Sequence, residues 1–437
     1  METTDISLLL SLDREERISK FSSFLPLHNL HDPSPAACAS SIRGGRQAAL
    51  HKLSALDPVA YGNSRNYTDG SVSRLSPWIR HGVLSLAEVR DTALAFSPSP
   101  QAAEKFITEL GWRFYWRKVQ ASLRHQIRHN IEPPRVKSRQ HKAATSIPED
   151  VLNAQTGMDC IDTFVKQLHN NGWLHNHERM WLASWLIHSR GVRWQDGADW
   201  FLSHLLDGDL ASNHLSWQWI AGTFSSKPYI FNRENVVRFT HGTFCKNCHL
   251  FGRCDVEGSY DDLTRKLFVG ECSTQPPKHI PPAPPWQTDC DHISDRPLVW
   301  ITLDSLSATS PAAAHSSNSL KLFVFDPRWF SREKPSLKRL TFIFDCLADI
   351  DGLHIFFADT ASAILEFASF HGCDDVILTS TSCPEIRSIT DRLIPHMPVH
   401  VMAEDPFCDD ARVTDIRRFS RFWKNVSSSA LRPTFQQ

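Results

Sequence analysis

The sequence lacks any apolar run of the roughly 18–20 residues that a membrane-spanning helix requires. Its opening residues, METTDISLLLSLDREERISKF, are charged and amphipathic, so they do not resemble a secretory signal. These two absences predict a soluble intracellular protein with no membrane partner. The net charge is only −1, and residues 1–243 hold 27 Lys and Arg against 23 Asp and Glu. That mild basic excess permits nucleic-acid binding without requiring it.

Two further absences narrow the chemistry. No G-x-G-x-x-G stands in the first βα turn of the C-terminal region, so the NAD-type fingerprint is missing. Eleven cysteines in 437 residues do not suggest a disulfide scaffold, which is typical of short secreted chains. They indicate reduced thiols, and one cluster of them raises the question of a metal site.

What the sequence does contain divides into three parts. The length exceeds the roughly 250–300 residues at which one core stops growing, so two domains are expected. Apolar residues recur at helical spacing through most of 1–240, which predicts a helical domain there. Residues 241–296 hold cysteines and a Pro-rich linker, and 297–437 alternate short apolar runs with helical patterns. The predicted fold is an all-helical domain followed by a small doubly wound parallel α/β domain, which is Rossmann-like.

Four motifs carry the densest chemical signal, and all fall within residues 60–235. They are SRLSP at 73–77, ELGWR at 109–113, GWLHNHERM at 172–180 and DGDLASNHLSWQW at 207–219. In this order they resemble the signatures of the photolyase and cryptochrome family. The resemblance implies a helical FAD-binding domain. The α/β domain of that family comes first, so its position after the helical domain here implies a permuted order.

The resemblance also implies a set of FAD-binding residues. Loop 72–76 would present hydroxyls and backbone N–H groups to the diphosphate, with Val72 standing where the family usually has Thr. Arg179 and Asp207 would pair beside the isoalloxazine, Asp209 would accept from ring N3–H, and Asn213 would face N5 as a neutral amide. Without its flanking motif, the Arg179–Asp207 pair would be interpreted as a purely structural ion pair. The full implied set is Tyr61, Val72, Ser73, Arg74, Leu75, Ser76, Arg113, Arg179, Asp207, Asp209 and Asn213.

The same resemblance implies a pocket for a cyclobutane pyrimidine dimer flipped out of DNA. Its lining would be Glu109, Trp112, Asn176, Met180 and Trp219. The paired histidines expected of a (6-4) enzyme are absent, because positions 176 and 180 are Asn and Met. His177 stands where dimer photolyases usually carry an Arg, which puts substrate affinity in question. The basic residues expected to contact DNA are Arg65, which matches a family position, and Arg113, Arg135, Lys137 and Arg139, which rest on charge alone.

Photoreduction in this family uses a chain of three tryptophans. Trp217 and Trp194 match the first two, but the third position falls near His141, and no Trp occurs between 117 and 172. The outer donor is therefore absent, replaced by an aromatic such as Tyr115 or Trp116, or reached by another route. The sequence predicts slower or redirected photoreduction.

Three functional hypotheses follow. The first is light-driven DNA repair by a deoxyribodipyrimidine photolyase-like lyase, in which excited reduced FAD passes an electron to the dimer. The second is a cryptochrome-type blue-light photoreceptor that signals to a protein partner without repair. The third is a nucleic-acid-binding scaffold whose flavin pocket has decayed. An antenna chromophore is unsupported, because the family's RRDLR stretch is missing.

Cys245, Cys248 and Cys254 form a compact thiol triplet directly after the flavin motifs. The spacing resembles the run used by some iron–sulfur nucleases, and some photolyase relatives carry a [4Fe-4S] cluster at a different spacing. The candidates for a fourth ligand are Cys160, Cys272 and Cys290. Zinc is the competing interpretation, with His249 nearby, and reduced cysteines without metal are the third. The sequence leaves all three open.

Overall fold

The computed structural model describes residues 3–25, 40–138, 146–273, 275–284, 286 and 292–434. Most of the first part of the chain is helical. The helices up to residue 267 are α1 (Arg14–Phe24), α2 (Arg46–Ser54), α3 (Pro58–Ser64), α4 (Ser76–Arg80), α5 (Leu86–Ala95), α6 (Pro100–Leu123), α7 (Glu149–Leu152), α8 (Asp159–Asn171), α9 (Asn176–His188), α10 (Trp194–His204), α11 (Leu210–Ala221), α12 (Arg233–Phe239) and α13 (Tyr260–Leu267).

The last part of the chain alternates strands and helices. Its helices are α14 (Pro311–His315), α15 (Pro327–Glu333), α16 (Leu337–Leu347), α17 (Thr360–His371), α18 (Pro384–Leu393) and α19 (Phe419–Ala430). The strands of the chain are β1 (Thr4–Asp5), β2 (Val136–Ser138), β3 (Phe268–Glu271), β4 (Pro297–Ile301), β5 (Lys321–Phe325), β6 (Leu353–Phe357), β7 (Asp375–Thr379) and β8 (Val399–Met402). Strands β2 and β3 form a separate antiparallel pair beside the helices.

The main sheet has the order β1-β6-β5-β4-β7-β8, and all its pairs except β1–β6 are parallel. The chain runs outward from β4 through β5 to β6 and then returns to the other side of β4, so β4 and β7 flank a topological switch point. Strands β4, β5 and β7 are buried at every residue, as expected when helices cover both faces of a parallel sheet. The predicted doubly wound parallel domain is confirmed.

The N-terminal residues complete this sheet. Strand β1 pairs antiparallel with the edge strand β6, and the Ile6 amide donates to the Ile355 carbonyl at 2.9 Å. Helix α1 follows and packs on α16, where the Phe21 and Phe344 rings lie 4.8 Å apart. The division into domains at residue 240 remains a prediction. The structure adds that β1 and α1, within residues 4–24, contact the α/β layer.

The helical and α/β layers share one hydrophobic core. A single cluster of buried side chains contains residues of α4 to α6 together with residues of β4, β5, α16 and α19. Trp78 of α4, for example, meets Phe342 of α16 at 5.8 Å. A second cluster, built on Phe164, Trp181 and Trp185, holds α8 to α12 and the cysteine-containing segment. No helix among the described residues has both the length and the apolar character needed to cross a membrane.

Candidate functional site

Two buried aspartates stand at the start of α11. Asp209 is the N-cap of that helix, and its carboxylate accepts from the Ala211 and Ser212 amides at 3.3 Å each. Asp207 accepts two hydrogen bonds from the Arg179 guanidinium, at 3.1 and 2.9 Å. The caps and the bidentate pair place two carboxylates two residues apart with fixed directions.

Arginines keep both carboxylates ionised despite burial. Burial raises the pKa of each aspartate, but for Asp207 the charge and hydrogen bonds of Arg179 outweigh it, so the pKa lies below its ordinary value. For Asp209 the guanidinium groups of Arg80 and Arg113 do the same. Arg113 reaches Asp209 at 3.4 Å and is itself so buried that its pKa is lowered. The site therefore presents hydrogen-bond acceptors at every physiological pH.

The backbone between the two aspartates is held from both layers of the fold. The Gly208 carbonyl accepts from Arg80 of α4 at 2.8 Å and from Arg339 of α16 at 3.0 Å. Arg80 also pairs with Asp304, which follows β4. Arg339 donates to the Leu202 carbonyl at 2.8 Å and pairs with Glu333 at 2.9 Å. The α/β layer thus positions the loop that carries the two carboxylates.

Helix α11 carries the next two predicted residues along its length. Asn213 donates from its side-chain amide to the Ala198 carbonyl at 2.7 Å, which fixes the rotation of that amide. One turn later Trp217 packs so tightly on Gly197 of α10 that a Cβ there would lie 2.3 Å from the indole. Trp194, at the start of α10, donates from Nε1 to Asn130 at 2.7 Å. The expected third position, His141, lies outside the described residues.

The loop before α4 approaches the same carboxylates. Arg74 has φ 53, a left-handed backbone that redirects the chain, and its guanidinium lies 4.7 Å from the Trp173 ring centre. Ser73 Oγ accepts from the Leu75 amide at 3.4 Å, and Ser76 hydrogen-bonds to Asp207. A small cavity of about 30 Å³ opens beside this loop and is lined by Lys52, Ala55, Leu56, Asp57, Tyr61, Ser71, Val72 and Ser73. Tyr61 and the serines therefore lie along one opening.

The residues predicted to line a substrate pocket fall into connected groups. Glu109 of α6 pairs with Arg65 at 2.9 Å, and the Arg65 carbonyl lies 3.0 Å from His175 Nε2. Asn176 donates to the Met180 sulfur at 3.4 Å, one turn along α9. Trp219 is half-buried and has the Tyr229 ring 5.5 Å away.

Trp112 has a partner that the sequence analysis missed. The Phe419 ring of α19 stacks on Trp112 at 3.7 Å with an interplanar angle of 16°, and Trp423 continues the stack at 5.7 Å from Phe419. Arg418, the N-cap of α19, pairs with buried Glu132 at 2.6 Å. The signal was present, because apolar residues in 419–430 recur at i, i+3, i+4 and i+7. One face of Trp112 is thus covered by the C-terminal helix.

Few of the expected DNA contacts are free cations. Arg65 and Arg113 are tied to Glu109 and Asp209 as described, and Arg135 pairs with Glu132. Lys137 is exposed on β2, and Arg139 lies outside the described residues. His177 packs on Trp181 at 5.3 Å and on Phe239 at 4.9 Å, and burial lowers its pKa to about 4. This imidazole is neutral at physiological pH.

The thiol triplet lies in a loop segment between α12 and α13. Cys245, Cys248 and Cys254 line one cavity, and buried Cys160 of α8 lines the same cavity. Burial raises the pKa of the Cys160 thiol, and the thiols of Cys245, Cys254 and Cys248 raise it further. Of the other two predicted fourth ligands, Cys272 is exposed and is absent from the lining of that cavity, and Cys290 lies outside the described residues. Separately, Asp159, Cys248 and His249 bring their ligand atoms within 4.8 Å of one another.

A cavity of about 280 Å³ lies in the α/β layer. It opens where β4 and β5 end, beside the switch point, and reaches α18. Its lining mixes the aromatic rings of Trp300, Phe323 and Trp329 with the guanidinium groups of Arg328, Arg332 and Arg392. It is separate from the carboxylates of α11.

Comparison with known proteins assigns the helical region. Residues 106–260 match the family model described as the FAD binding domain of DNA photolyase. The deoxyribodipyrimidine photo-lyase of Streptomyces griseus is 32% identical over 191 residues, which cover 41% of this chain and 40% of the relative. That of Escherichia coli is 32% identical over 166 residues, covering 37% and 35%. The crystal structure of a Synechocystis cryptochrome matches with 21% identity and a TM-score of 0.44, covering 53% of this chain and 52% of that one. The sequence matches thus span less than half the length of these relatives.

Proposed function

This chain belongs to the photolyase and cryptochrome family through its FAD-binding domain, and from that premise we propose that it repairs cyclobutane pyrimidine dimers in DNA. The proposed activity is that of a light-driven, FAD-dependent deoxyribodipyrimidine photolyase-like lyase. One observation carries the proposal. Arg179, Arg113 and the pair Asp207 and Asp209, which come from three segments, converge at the start of α11 and fix two carboxylates there.

The residues proposed to hold FAD lie around that point. Asp209 and Asp207 are acceptors for ring N–H groups, and Arg179 and Arg113 keep them ionised. Asn213 offers a neutral amide one turn along α11, already oriented by Ala198. Tyr61, Val72 and Ser73 border a neighbouring opening, and loop 72–76 would offer hydroxyl and backbone donors for phosphate. Bound and reduced, FAD supplies an electron after absorbing light.

The substrate side is proposed at the mouth of the same domain. The Glu109 carboxyl would hydrogen-bond the pyrimidine carbonyls and stabilise the anion, with Arg65 fixing its direction. Asn176 and Met180 lie one turn apart on α9 and would line the wall opposite. Trp112 and Trp219 would offer flat aromatic surfaces, and stacking is worth about 1–3 kcal/mol per base. Because Phe419 covers one face of Trp112, only the other face is left for a base.

Two accessory features belong to the proposal. Trp217 and Trp194 would carry electrons toward the flavin, and both are buried in the second core. The triplet Cys245, Cys248 and Cys254 would hold a metal, with iron–sulfur and zinc as the two alternatives.

Repair is tested with purified chain, reductant, blue light and an oligonucleotide that contains one thymine dimer. We expect E109Q to lower the repair rate about 100–1000-fold, as when one hydrogen bond to developing charge is lost. The matched control is E104Q, an exposed Glu on the same helix, which should repair at the normal rate. Flavin-loaded protein that never splits the dimer would contradict repair and leave the photoreceptor alternative.

Flavin binding is tested separately. D209N removes a buried carboxylate, so we expect the affinity for FAD to fall about 10–100-fold, the effect of losing a hydrogen bond to a charged group. D262N alters an exposed helix cap of α13 and should bind FAD normally. Wild-type protein that is colourless and takes up no added FAD would refute the proposal.

A further inference from the structure

The two tryptophans proposed to face the substrate belong to different helices. Trp112 lies on α6 and Trp219 lies on α11. A flipped dimer can meet both rings only if surrounding residues hold the rings at a fixed separation. The contacts of both tryptophans lead to the start of the C-terminal helix α19, through residues that the proposed reaction does not otherwise use.

On the α6 side, α19 holds Trp112 by stacking. The Phe419 ring lies on the Trp112 ring at 3.7 Å with an interplanar angle of 16°, and Trp423 stacks on Phe419 at 5.7 Å. The Trp423 ring also lies against the backbone of Gly111, where an added Cβ would come within 2.3 Å of it. Gly111 therefore allows α19 to approach α6 closely. Because the two rings are in direct contact, the position of α19 restricts the tilt of Trp112.

On the other side, the residue before Phe419 begins a polar connection. The Arg418 guanidinium donates to both carboxylate oxygens of Glu132, at 2.6 and 2.8 Å. Glu132 is buried and also pairs with Arg135. A bidentate pair of this kind fixes direction as well as distance, so it joins the start of α19 to the segment 127–132.

The segment 127–132 is in turn bonded to the end of α11. The Glu132 amide donates to the Thr223 carbonyl at 2.8 Å. The Gln218 side chain accepts from a backbone amide of the segment at 3.0 Å and donates to one of its carbonyls at 2.8 Å. Gln218 is fully buried and directly precedes Trp219. These hydrogen bonds determine where the last turn of α11, with the Trp219 backbone, lies relative to Glu132.

We propose that Arg418 and Phe419 are positioning residues, which hold the two tryptophans at the separation that a flipped pyrimidine dimer requires. Phe419 contacts Trp112 directly, and Arg418 acts on Trp219 through Glu132. The inference rests on the proposed function, because it assigns both rings to a dimer. Stacking depends on the alignment of the rings, whereas contacts with the DNA backbone do not, so loss of positioning should weaken recognition of the dimer selectively.

The inference is tested by binding in the dark, with the full FAD-loaded chain and two oligonucleotides, one with a single thymine dimer and one undamaged. We expect R418M to weaken binding of the dimer oligonucleotide about tenfold or more, in the range of one lost base stack, and to change binding of the undamaged one less than about twofold. The FAD content should equal that of the wild type, because Arg418 is linked to the end of α11 and Asp209 stands at its start.

The matched control is R421M on the same helix. Arg421 is 62% exposed and lies 3.6 Å from Asp415, so this variant should bind both oligonucleotides as the wild type does. A purely structural role of Arg418 would lower stability without changing the ratio of the two affinities. If R418M does not fold, F419L gives the same comparison, because it removes the stacked ring and leaves no buried charge unpaired.

Hydrogen exchange gives a second measurement that does not involve DNA. We expect the amides of 131–132 to exchange about tenfold faster in R418M than in R421M. Equal exchange in these two variants would overturn the link between α19 and α11. A wild-type preference for the dimer that persists in both R418M and F419L would overturn the positioning role alone, whereas a wild type without any such preference would overturn the proposed function.

Discussion

The carboxylate site and the thiol cavity are built in opposite ways. Asp207 pairs with Arg179 and Asp209 with Arg113, and the Gly208 carbonyl between them accepts from two further arginines. The thiols line a space in a segment without helix or strand, with apolar neighbours and one guanidinium. The first site is thus preorganised by ion pairs within the helical layer and by one arginine of the α/β layer, Arg339, that bonds its backbone, whereas the thiols are surrounded mainly by apolar side chains.

The largest expected effect comes from a substitution that disrupts the carboxylate site without altering Asp207 or Asp209. R339M removes a buried guanidinium that donates to the Leu202 and Gly208 carbonyls, and it leaves buried Glu333 with only the longer pair to Arg332 at 3.6 Å. We expect the free energy of unfolding to fall by about 3–5 kcal/mol, with loss of FAD. Urea titration and flavin content measure both.

The matched control is R328M, because the Arg328 side chain is 61% exposed in its ion pairs. That change should cost about 0–1 kcal/mol. Equal stability losses in the two variants would show that burial of Arg339 is not what matters.

The next effect compares the local stability of the thiol segment with that of the carboxylate site. Removing the metal proposed for the triplet Cys245, Cys248 and Cys254 should unfold the segment 240–258 locally, because its few backbone turns are not part of a helix or sheet. We expect amide hydrogen exchange to speed up more than about tenfold there and to change little in 207–221. Exchange that rises equally in both regions would argue against two independently held sites.

A smaller effect concerns pH. Burial lowers the pKa of His81 to about 3 and those of His175, His177 and His188 to about 4. Between those values and the ordinary value of about 6.5 the unfolded chain binds more protons, so stability rises with pH and is fully present above about 6.5. The urea midpoint should therefore be higher at pH 7 than at pH 5.

Buried carboxyl groups with a raised pKa make the stability fall as pH rises. The structure has fewer of them than of the buried histidines among its described residues. They are Glu178, whose pKa burial raises to about 7, and Asp345 and Glu404, whose pKa burial also raises. E178Q removes a contribution that falls as pH rises, so it should steepen the increase between pH 5 and pH 7. A midpoint that is lower at pH 7 would contradict the assignment of neutral buried histidines.

The smallest effect tests the aromatic stack. F419L keeps an apolar side chain but removes the ring that stacks on Trp112 at 3.7 Å, so we expect a loss of about 0.5–1.5 kcal/mol beyond area burial and a changed near-UV dichroism. F370L is the control, because Phe370 is 86% exposed. Identical dichroism and stability in both variants would show that the stack has no energetic role.

Local patterns predicted the helix through Glu109 and Arg113 and the helical character of the region around it. The cap at Asp209 and the start of α9 were not predicted, although both depend on residues within one turn of each other. The doubly wound sheet was also predictable, because buried parallel strands are short apolar runs. The edge strand β1 was not, because two residues carry no periodicity.

The residues that line the thiol cavity also could not all be predicted from the sequence. The triplet spacing indicated a metal site, and Cys160 was one of three candidates for a fourth ligand. Nothing in the spacing ranked them, because Cys160 lies more than 80 residues before the triplet. Packing of α8 in the second core places that thiol at the cavity.

By itself, the sequence determined the family of the helical domain, the alternating order of the α/β layer and the identity of the acidic and basic side chains at α11. Each of these depends on residues that lie close together in the chain. Only the tertiary structure decided that Arg80 and Arg339 would meet at Gly208, that Phe419 would cover Trp112 and that Cys160 would join the triplet. Those contacts join segments that are remote in sequence, and they form because burying their apolar surroundings in common cores brings the segments together.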